Sequence, residues 1–402
     1  MPSLDQNMKI ISEIAKTQYL TLFRNALNTE ADPLLEKIKK SPLKANDITF
    51  GMRIGIGGGF GMSEEGENTP NANAPIYSKL TTPSRDAYVD ITVSEKAVRL
   101  GQSDVSAMVN VVTDNLDASK EAAKWNVGRM IYGDGTSKLA NITEAVATEN
   151  PTVTVDDTTF LKEGLTVDIY APSGSSPSTS SIQILSIDHN NKKVTFRTNP
   201  AASLSSASGS VYGVIYVQNS KNREITGLRS IFDTSVTSIY GKSKADNPIL
   251  VPNTMDAQHD IDDIKISDMV SKSYDHRGAK IDMVLCGSGA FRAYEEYMHT
   301  SQHTVVEKQK YVGGAVGYKI VCGQQEVEVV RSGFVPSDKM WGIDTSMLEL
   351  YHTDWDFLTY GDGSIFNLLP NKSVYRALLA NYMELICRNP GGFFEITNAA
   401  SA

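Results

Sequence analysis

The sequence predicts a mixed α+β fold that carries a small inserted β-barrel or β-sandwich domain. Apolar residues recur at helical spacing from Asp104 to Tyr132. A ribbon at 47–93 alternates apolar residues with glycine and contains an acidic tip. Near residue 150 the pattern changes abruptly to β-type alternation, with turns rich in Ser, Pro, Asn and Gly. At 402 residues the chain is long enough for two or three hydrophobic cores.

The N-terminal 46 residues predict an amphipathic helical arm. Its irregular apolar stripe includes Ile10, Ile14 and Leu20, and Pro33 and Pro42 interrupt the pattern. Such an arm either packs on its own domain or reaches a neighbouring subunit, and both arrangements fit the pattern.

The ribbon at 47–93 predicts a long hairpin with no core of its own. Arms of about 20 extended residues would reach roughly 60–70 Å. An isolated two-stranded ribbon is marginally stable in water, so this one needs another surface to lie on. We expect that surface to belong to a neighbouring subunit.

The segment 94–149 contains the clearest helix. Ser103 is a suitable N-cap, Asp104 suits the positive end of the helix dipole, and Gly133 stands where a left-handed C-terminal cap would. The predicted helix would be roughly 43 Å long.

Residues 150–218 predict the inserted β-domain, in which basic and acidic residues nearly balance. Residues 219–370 mix helices and strands, with helices expected at Ile261–His276 and Ser288–Thr300 and a buried strand at Ile281–Cys286. In the C-terminal segment 371–402, most of Val374–Arg388 predicts a long strand that returns to the first domain.

Composition and charge exclude several functional classes. The chain is 41% hydrophobic and 21% charged, as in ordinary globular proteins, and its net charge is −9. Such a surface does not bind nucleic acid by clustered positive charge, so contact with DNA would be that of a container wall. We expect no membrane partner, because no apolar stretch approaches the length of a membrane span and no signal-peptide core is visible. Cys286, Cys322 and Cys387 lie far apart without a CxxC pair, which indicates buried, reduced thiols.

Three motifs resemble catalytic or ligand sites but lack a required residue. No Gly-Lys-Ser/Thr follows the glycines of Gly55–Gly61, so a phosphate-binding loop is not indicated. Ser288 lies at a predicted strand-to-helix turn, but the flanking positions of a nucleophile elbow hold Cys286 and Ala290, and a helix cap explains it better. His299 and His303 share a helix face without a general base between them.

We therefore predict no catalytic residue, cofactor site or metal site, and no enzymatic activity. The side chains expected to contact other subunits are Glu64, Glu65 and Glu67 at the ribbon tip, together with Trp125. The three tip carboxylates either dock against Lys or Arg of a neighbour or are simply solvated. Trp125, Trp341 and Trp355 are expected in a core or at a subunit contact.

Three strings connect this order of parts to a known family. They are DNLDASKEAAKWNVGRMIYGDG, which ends at Gly135, NREITGLRSIFD at Asn222–Asp233, and YMELICRNPGGFFEIT at Tyr382–Thr397. With the arm, ribbon and long helix before them, they resemble the major capsid proteins of tailed bacteriophages, which have the HK97-like fold. The resemblance covers nearly the whole chain as a pattern of elements.

The resemblance implies an assignment for each segment. These are an N-terminal arm (1–46), an extended E-loop (47–93), a peripheral domain with its spine helix (94–149), an inserted β-domain (150–218), a mainly axial domain with peripheral segments (219–370) and a C-terminal return to the peripheral domain (371–402).

The implied function is that of a structural subunit which self-assembles into the icosahedral head shell around double-stranded DNA. The implied partners are copies of itself in pentamers and hexamers, a scaffolding protein, a portal, a decoration protein and packaged DNA bound without sequence specificity. Assembly would occur in the host bacterial cytoplasm, and the mature location would be the virion. No long scaffolding segment precedes the arm, which suggests either a separate scaffolding protein or a chain that is already processed, and the retained Met1 favours the former.

Two alternatives remain at this point. An encapsulin-type nanocompartment shell shares the HK97-like fold and packages cargo protein. A carbohydrate-binding or enzymatic protein would use the β-domain at 150–218.

Overall fold

Two sheets, a small barrel and two short hairpins organise the part of the chain that the structure describes. The computed structural model describes residues 12, 16, 19–30, 32–55, 58–66, 68, 71, 74–96, 105–145, 151–200, 210–300, 308–310, 316–323, 325–359, 361 and 363–400. Within these residues the α+β class is confirmed.

The described part of the arm packs on its own chain. It consists of helix α1 (Leu20–Asn25), a π-helical turn (Ala26–Glu30), helix α2 (Pro33–Lys37) and strand β1 (Lys39–Pro42). These elements bury several large side chains completely, among them Phe23, Leu27 and Leu34. The self-packing alternative therefore holds here, while Ile10 and Ile14 of the predicted stripe lie outside the described residues.

A six-stranded sheet holds the two ends of the described chain together. Its strands are β1, β4 (Arg85–Ser94), β19 (Leu348–His352), β20 (Asp356–Phe357), β21 (Asn367–Leu368) and β22 (Val374–Cys387). Strand β22 is 14 residues long and pairs with β4 along ten positions and with β19 at its far end. The predicted C-terminal strand is thus present, and it forms the spine of this sheet.

The spine helix α3 runs from Val105 to Tyr132, so its 28 residues span about 42 Å. The prediction of a left-handed cap at Gly133 was wrong. The Gly133 amide donates to the Met130 carbonyl oxygen at 3.1 Å, which tightens the last turn. The left-handed residue is Gly135, with φ 84°, where the chain turns away from the helix.

The inserted domain is a closed six-stranded barrel. Its strands are β5 (Lys138–Ile142), β6 (Thr152–Thr154), β7 (Thr166–Tyr170), β8 (Pro177–Asp188), β9 (Lys193–Phe196) and β10 (Gly213–Val217). They pair in the order β5-β10-β7-β8-β9-β6, and an antiparallel bridge between Ile142 and Val155 joins the two outer strands. The barrel therefore includes a strand that precedes residue 150, and closure removes its exposed edges.

A seven-stranded mixed sheet forms the second large unit. Its strands are β13 (Asn253–Asp256), β14 (Met283–Cys286), β15 (Lys308–Lys310), β16 (Val316–Cys322), β17 (Gln325–Arg331), β18 (Met340–Ile343) and β23 (Phe394–Thr397). Helices α5 (Asp263–Arg277) and α6 (Ser288–Thr300) share a separate hydrophobic core with one face of this sheet. A short helix α4 (Leu228–Phe232) and a hairpin of β11 (Ser238–Ile239) and β12 (Lys242–Ser243) precede it.

The termini of these helices decide two predictions. The α5 region is helical as expected, and the Asp262 side chain caps it by accepting from the Lys265 amide. The prediction that Ser288 caps α6 was wrong. The Gly289 amide at the start of this helix donates instead to the Ser337 hydroxyl oxygen at 3.0 Å. The capping oxygen comes from a distant loop, which sequence spacing alone does not reveal.

The ribbon is shorter than predicted. Its paired strands are β2 (Asp47–Arg53) and β3 (Tyr77–Pro83), with seven residues each, while β4 belongs to the six-stranded sheet. One face of the hairpin is buried on the chain's own core, through Ile48, Phe50 and Leu80. The paired strands β2 and β3 form the root of the ribbon. The expectation that the hairpin has no core in its own chain is therefore wrong for this root. It stays a prediction for the segment between the two strands.

Candidate assembly surfaces

The root of the ribbon is anchored by the β11–β12 hairpin. Alternation places Phe50 inward, and its ring meets that of Tyr240 edge-to-face at 5.4 Å. The Thr81 amide donates to the Tyr240 carbonyl oxygen at 3.3 Å. Tyr240 is held in turn, because its hydroxyl donates to the Leu385 carbonyl oxygen and accepts from the Cys387 amide. The root is therefore a fixed base for the segment beyond Arg53.

The described part of the ribbon tip exposes large apolar side chains. Phe60 and Met62 are 91% and 94% exposed, and Ile76 and Tyr77 are both more than 60% exposed. Adjacent apolar residues left in water at this level are typical of an interaction surface. Sequence reasoning singled out the acidic residues here and missed the apolar ones. The available signal was two large apolar residues in a glycine-rich stretch that has no helical or strand periodicity.

The acidic residues share this tip with the apolar ones. Glu64 and Glu65 are exposed, and Glu67 lies outside the described residues. The tip therefore combines apolar surface with negative charge, and a complementary surface would have to offer both apolar contacts and basic groups.

Trp125 lies in a seam inside the chain and is half-buried. Its ring meets Phe334 edge-to-face at 6.1 Å, and the Lys162 ammonium lies 6.0 Å from its centre. The tryptophan thus joins the spine helix to the barrel and to the loop before β18, and its role in subunit contact stays a prediction. Trp341 and Trp355 are completely buried core residues.

A buried carboxylate fastens the arm to the six-stranded sheet. Glu349 on β19 accepts hydrogen bonds from Ser41 of β1 and from Arg388, and it pairs with Lys39 at 3.2 Å. Burial alone would raise the pKa of Glu349, but the bonds from Ser41, Arg388 and Lys39 outweigh it and lower the pKa to about 2. The carboxylate is therefore ionised at any ordinary pH and holds the arm strand in register.

Two further contacts bind the arm to other units. Asp32 caps α2 by accepting from the Leu34 amide, and it also accepts from the Tyr132 hydroxyl at 2.8 Å. Burial raises the pKa of Asp32 to about 6 despite these bonds. Lys37 pairs with Glu328 of the seven-stranded sheet at 2.6 Å. The arm, spine helix and both sheets consequently form one connected frame.

The end of the spine helix is locked to the segment that leaves the barrel. Arg129 and Glu224 form a buried bidentate ion pair, with one N–O distance of 3.0 Å. Beside it, Gly227 approaches the helix terminus so closely that a Cβ atom would lie 2.5 Å from the carbonyl oxygens of Met130, Ile131 and Gly133. This contact explains why the string at Asn222–Asp233 contains glycine at that point.

The predicted chemistry-like motifs do not converge in the described part of the chain. Burial raises the pKa of the free Cys286 and Cys387 thiols, and it raises that of Cys322 to about 11. Ser288 is exposed and faces the Ser337 hydroxyl at 3.2 Å. His299 is exposed, and His303 lies outside the described residues.

The described residues hold neither a metal-binding cluster nor a membrane-spanning helix. They contain no group of three or more His, Cys, Asp or Glu side chains placed to hold a metal ion. Nor do they include a helix long and apolar enough to cross a membrane.

Comparisons with known proteins agree with this architecture. The family model of the SU10 major capsid protein matches residues 208–359, which include α4 to α6 and most of the seven-stranded sheet. No curated protein sequence matches the chain.

Among solved structures, the capsid asymmetric unit of cyanophage A-1(L) is similar, with a TM-score of 0.51 and 11% identity over 93% of this chain and 92% of that one. A structure of Mycobacterium phage Bobi has a TM-score of 0.44 and 9% identity over 92% and 91% of the two chains. The holo-SrpI encapsulin complex from Synechococcus elongatus has a TM-score of 0.43 and 6% identity over 90% and 85%. At such identities the cyanophage likeness concerns the fold, and it extends over nearly the whole length of both chains.

Proposed function

We propose that the chain is a tailed-phage major capsid protein with the HK97-like fold. Its copies close into five- and six-fold rings that form an icosahedral head around double-stranded DNA. As a head-shell subunit it associates with copies of itself and resides in the virion. The observation that carries the proposal is the ribbon, whose root is buried in its own chain and whose tip leaves Phe60 and Met62 almost fully exposed.

The proposed role of the tip follows from this contrast. Burying a side chain of this size contributes about 1.5–3 kcal/mol, and the tip has no such burial within its own described chain. A neighbouring subunit supplies the missing surface, and Glu64 and Glu65 meet its basic groups. Each such contact is weak, but closure of the shell multiplies it.

The remaining partners belong to the same proposal. The acidic net charge of −9 supports a shell that encloses DNA without sequence-specific contact. A scaffolding protein assists assembly in the host cytoplasm, a portal occupies one vertex, and a decoration protein binds outside. The barrel lies on the outer side of the shell or at the capsomer rim, where its polar loops face solvent.

Expression of the chain with and without its scaffolding protein tests assembly. We expect closed or aberrant shells in negative-stain images and by analytical ultracentrifugation. Shells from infected cells should contain double-stranded DNA, whereas an encapsulin-type shell would contain cargo protein. A compact monomer under all assembly conditions, scaffold included, would contradict the proposal.

Reversing the ribbon-tip charges tests the docking step. The triple variant Glu64→Lys, Glu65→Lys and Glu67→Lys should impair assembly while leaving the unfolding of the monomer unchanged. Each exposed ion pair lost between subunits contributes only about 0–1 kcal/mol. The loss is repeated at every equivalent contact of the shell, so its effect on assembly is large. Added salt should narrow the difference from the parent, since exposed charges are screened beyond roughly 8–10 Å.

A matched control carries the same charge change away from the ribbon. It replaces three exposed acids, Asp246, Glu296 and Asp354, by lysine. If the tip variant assembles with the yield, thermal stability and salt dependence of the parent, the tip is only solvated and the docking step is wrong.

A further inference from the structure

The helix α5 carries an acidic, partly apolar groove near one end and a basic, aromatic surface at the other. We propose that these two surfaces are the halves of one head-to-tail contact, in which the groove of one subunit receives the basic end of α5 from the next subunit in a ring. The inference rests on the proposed function, because it names the partner as a second copy of this chain.

The groove lies between α5 and strand β16. It is open, has a volume of about 460 Å³, and is lined by Asp263, Ile264, Ser267, Asp268, Ser271 and Val321. On its walls Ile264 and Val321 are 74% and 76% exposed, although each belongs to a regular element beside a well-packed core. The carboxylate of Asp268 is exposed and forms no ion pair among the described residues. The groove therefore offers two apolar contacts and a negative charge.

The complementary surface begins at Lys272, directly after Ser271 of the groove lining and about one turn beyond Asp268. Lys272, Arg277 and Lys280 are exposed, and none forms an ion pair within the described part of the chain. Tyr274 stands among them and is 48% exposed. Asp275 also lies here. Because it is one acid beside three basic side chains, the surface remains basic on balance. It offers an aromatic side chain and positive charge, the two properties that the groove lacks.

The helix dipole explains only part of this charge separation. It favours Asp263 in the first turn and Arg277 in the last turn of α5. It does not account for Asp268, which lies in the second turn, or for Lys280, which follows the left-handed cap at Gly278. Nor does it account for the exposure of Ile264 and Val321. A second surface explains these features together.

The position of the two surfaces fits a ring. A contact between two different patches repeats by rotation and closes when the angle is right, whereas an antiparallel two-fold pairing of α5 would use each patch once on either subunit and stop at a dimer. Pairing the groove with itself would place Asp268 against another Asp268. The charge pattern thus disfavours pairing of the groove with itself, and the five- and six-fold rings of the proposed function select the head-to-tail arrangement over the two-fold one.

Charge exchange between the two surfaces tests the inference. The groove variant carries Asp268→Lys, the basic-end variant carries Arg277→Glu and Lys280→Glu, and a third variant carries all three changes. We expect each of the first two to raise the subunit concentration needed for half-maximal shell assembly by at least about threefold, and the combined variant to recover most of this loss. Sedimentation velocity and mass photometry measure the capsomers and shells.

Two controls separate the contact from folding and from general surface effects. Ile264→Ser should weaken assembly, whereas Leu185→Ser, at a position on the barrel that is 63% exposed, should not. Asp246→Lys matches the charge change of the groove variant at an exposed site off the helix. All subunits should unfold within about 2 °C of the parent, because exposed substitutions barely change stability.

The outcomes distinguish this inference from the proposed function. If the parent forms shells and the groove and basic-end variants assemble like it, the head-to-tail contact is wrong and the capsid function stands. If both variants weaken assembly but their combination recovers nothing, the two surfaces are not partners and the inference is also wrong. If the parent never assembles, even with scaffold, both proposals fail.

Discussion

Glu384 is a buried acid at the point where three parts of the chain meet. It lies on β22 with no exposed surface, and its carboxylate accepts from the Thr226 amide at 2.9 Å. Burial raises its pKa to about 7, although hydrogen bonds from Thr226 and Thr82 and the charge of Arg85 act in the opposite direction. Thr82 belongs to the ribbon root, so the acid sits beneath the base of the ribbon.

The protonation of Glu384 therefore links stability to pH. The folded state binds this proton more tightly than the unfolded state, whose pKa is near 4.5. The resulting stability is complete below pH 4.5 and is lost as the pH rises through 7, by up to about 3 kcal/mol. We expect Glu384→Gln, which does not titrate, to unfold at a higher temperature than the parent at pH 8.5 and to lose that advantage at pH 4.5.

A control keeps this test specific to one site. Glu121→Gln changes an exposed acid on the spine helix and should leave the pH dependence of unfolding as in the parent. Asp32, whose pKa is also raised, titrates in parent and variant alike and so cancels in the comparison. Equal slopes of melting temperature against pH for Glu384→Gln and the parent would show that Glu384 does not titrate in this range.

Among the elements, the ribbon separates folding from assembly along one hairpin. Phe50 is buried against Tyr240 at the root, and Phe60 is almost fully exposed at the tip. We expect Phe50→Ala to cost about 3–5 kcal/mol of unfolding free energy, because it leaves a cavity. Phe60→Ala should change monomer stability by less than about 0.5 kcal/mol and still reduce shell yield.

Denaturant unfolding of the subunits and negative-stain counting of shells give the two measurements. Equal losses of monomer stability at both positions would mean that the tip also packs on its own chain. Normal assembly of Phe60→Ala would remove the apolar tip from the subunit contact.

The terminus of the spine helix depends on a close approach that only glycine permits. A Cβ atom on Gly227 would lie 2.5 Å from three backbone oxygens, so Gly227→Ala should cost at least about 1–3 kcal/mol. Gly333 is the matched control, because a Cβ atom there meets nothing within 4 Å. Thermal unfolding should show a clear loss for Gly227→Ala and almost none for Gly333→Ala. Equal melting temperatures would mean that the helix terminus relaxes freely.

At the scale of the whole molecule, we expect the barrel to fold independently of the rest of the chain. Strand β5 pairs with β10, and the bridge between Ile142 and Val155 closes the ring of strands. A fragment that starts at residue 150 lacks β5 and exposes the edges of β6 and β10. We expect a fragment covering 137–219 to unfold cooperatively at a higher temperature than one covering 150–218.

Circular dichroism and NMR of the two fragments measure this difference. A disordered 137–219 fragment would show that the barrel depends on its contact with Trp125 and the spine helix. Identical melting temperatures would mean that β5 adds nothing to the closed barrel.

The sequence by itself determined the order and type of the main elements. Helical spacing predicts the spine helix to within one residue of its observed start. The change to β-type alternation near residue 150 predicts a β-domain. The long strand that contains Tyr382 was also predicted, as were buried, free thiols. These features are encoded locally, because periodicity and turn composition act over neighbouring residues.

The tertiary structure decided which surfaces of the chain remain uncovered. The packing of the arm on its own chain depends on the contacts of Glu349 with Ser41 and Arg388. These three residues come from three distant segments of the chain. The burial of Phe50 depends on where the β11–β12 hairpin places Tyr240, and nothing in the ribbon's own pattern records that. The pairing of remote segments, rather than local propensity, sets which surfaces remain uncovered and so which surfaces the proposed contacts between subunits would use.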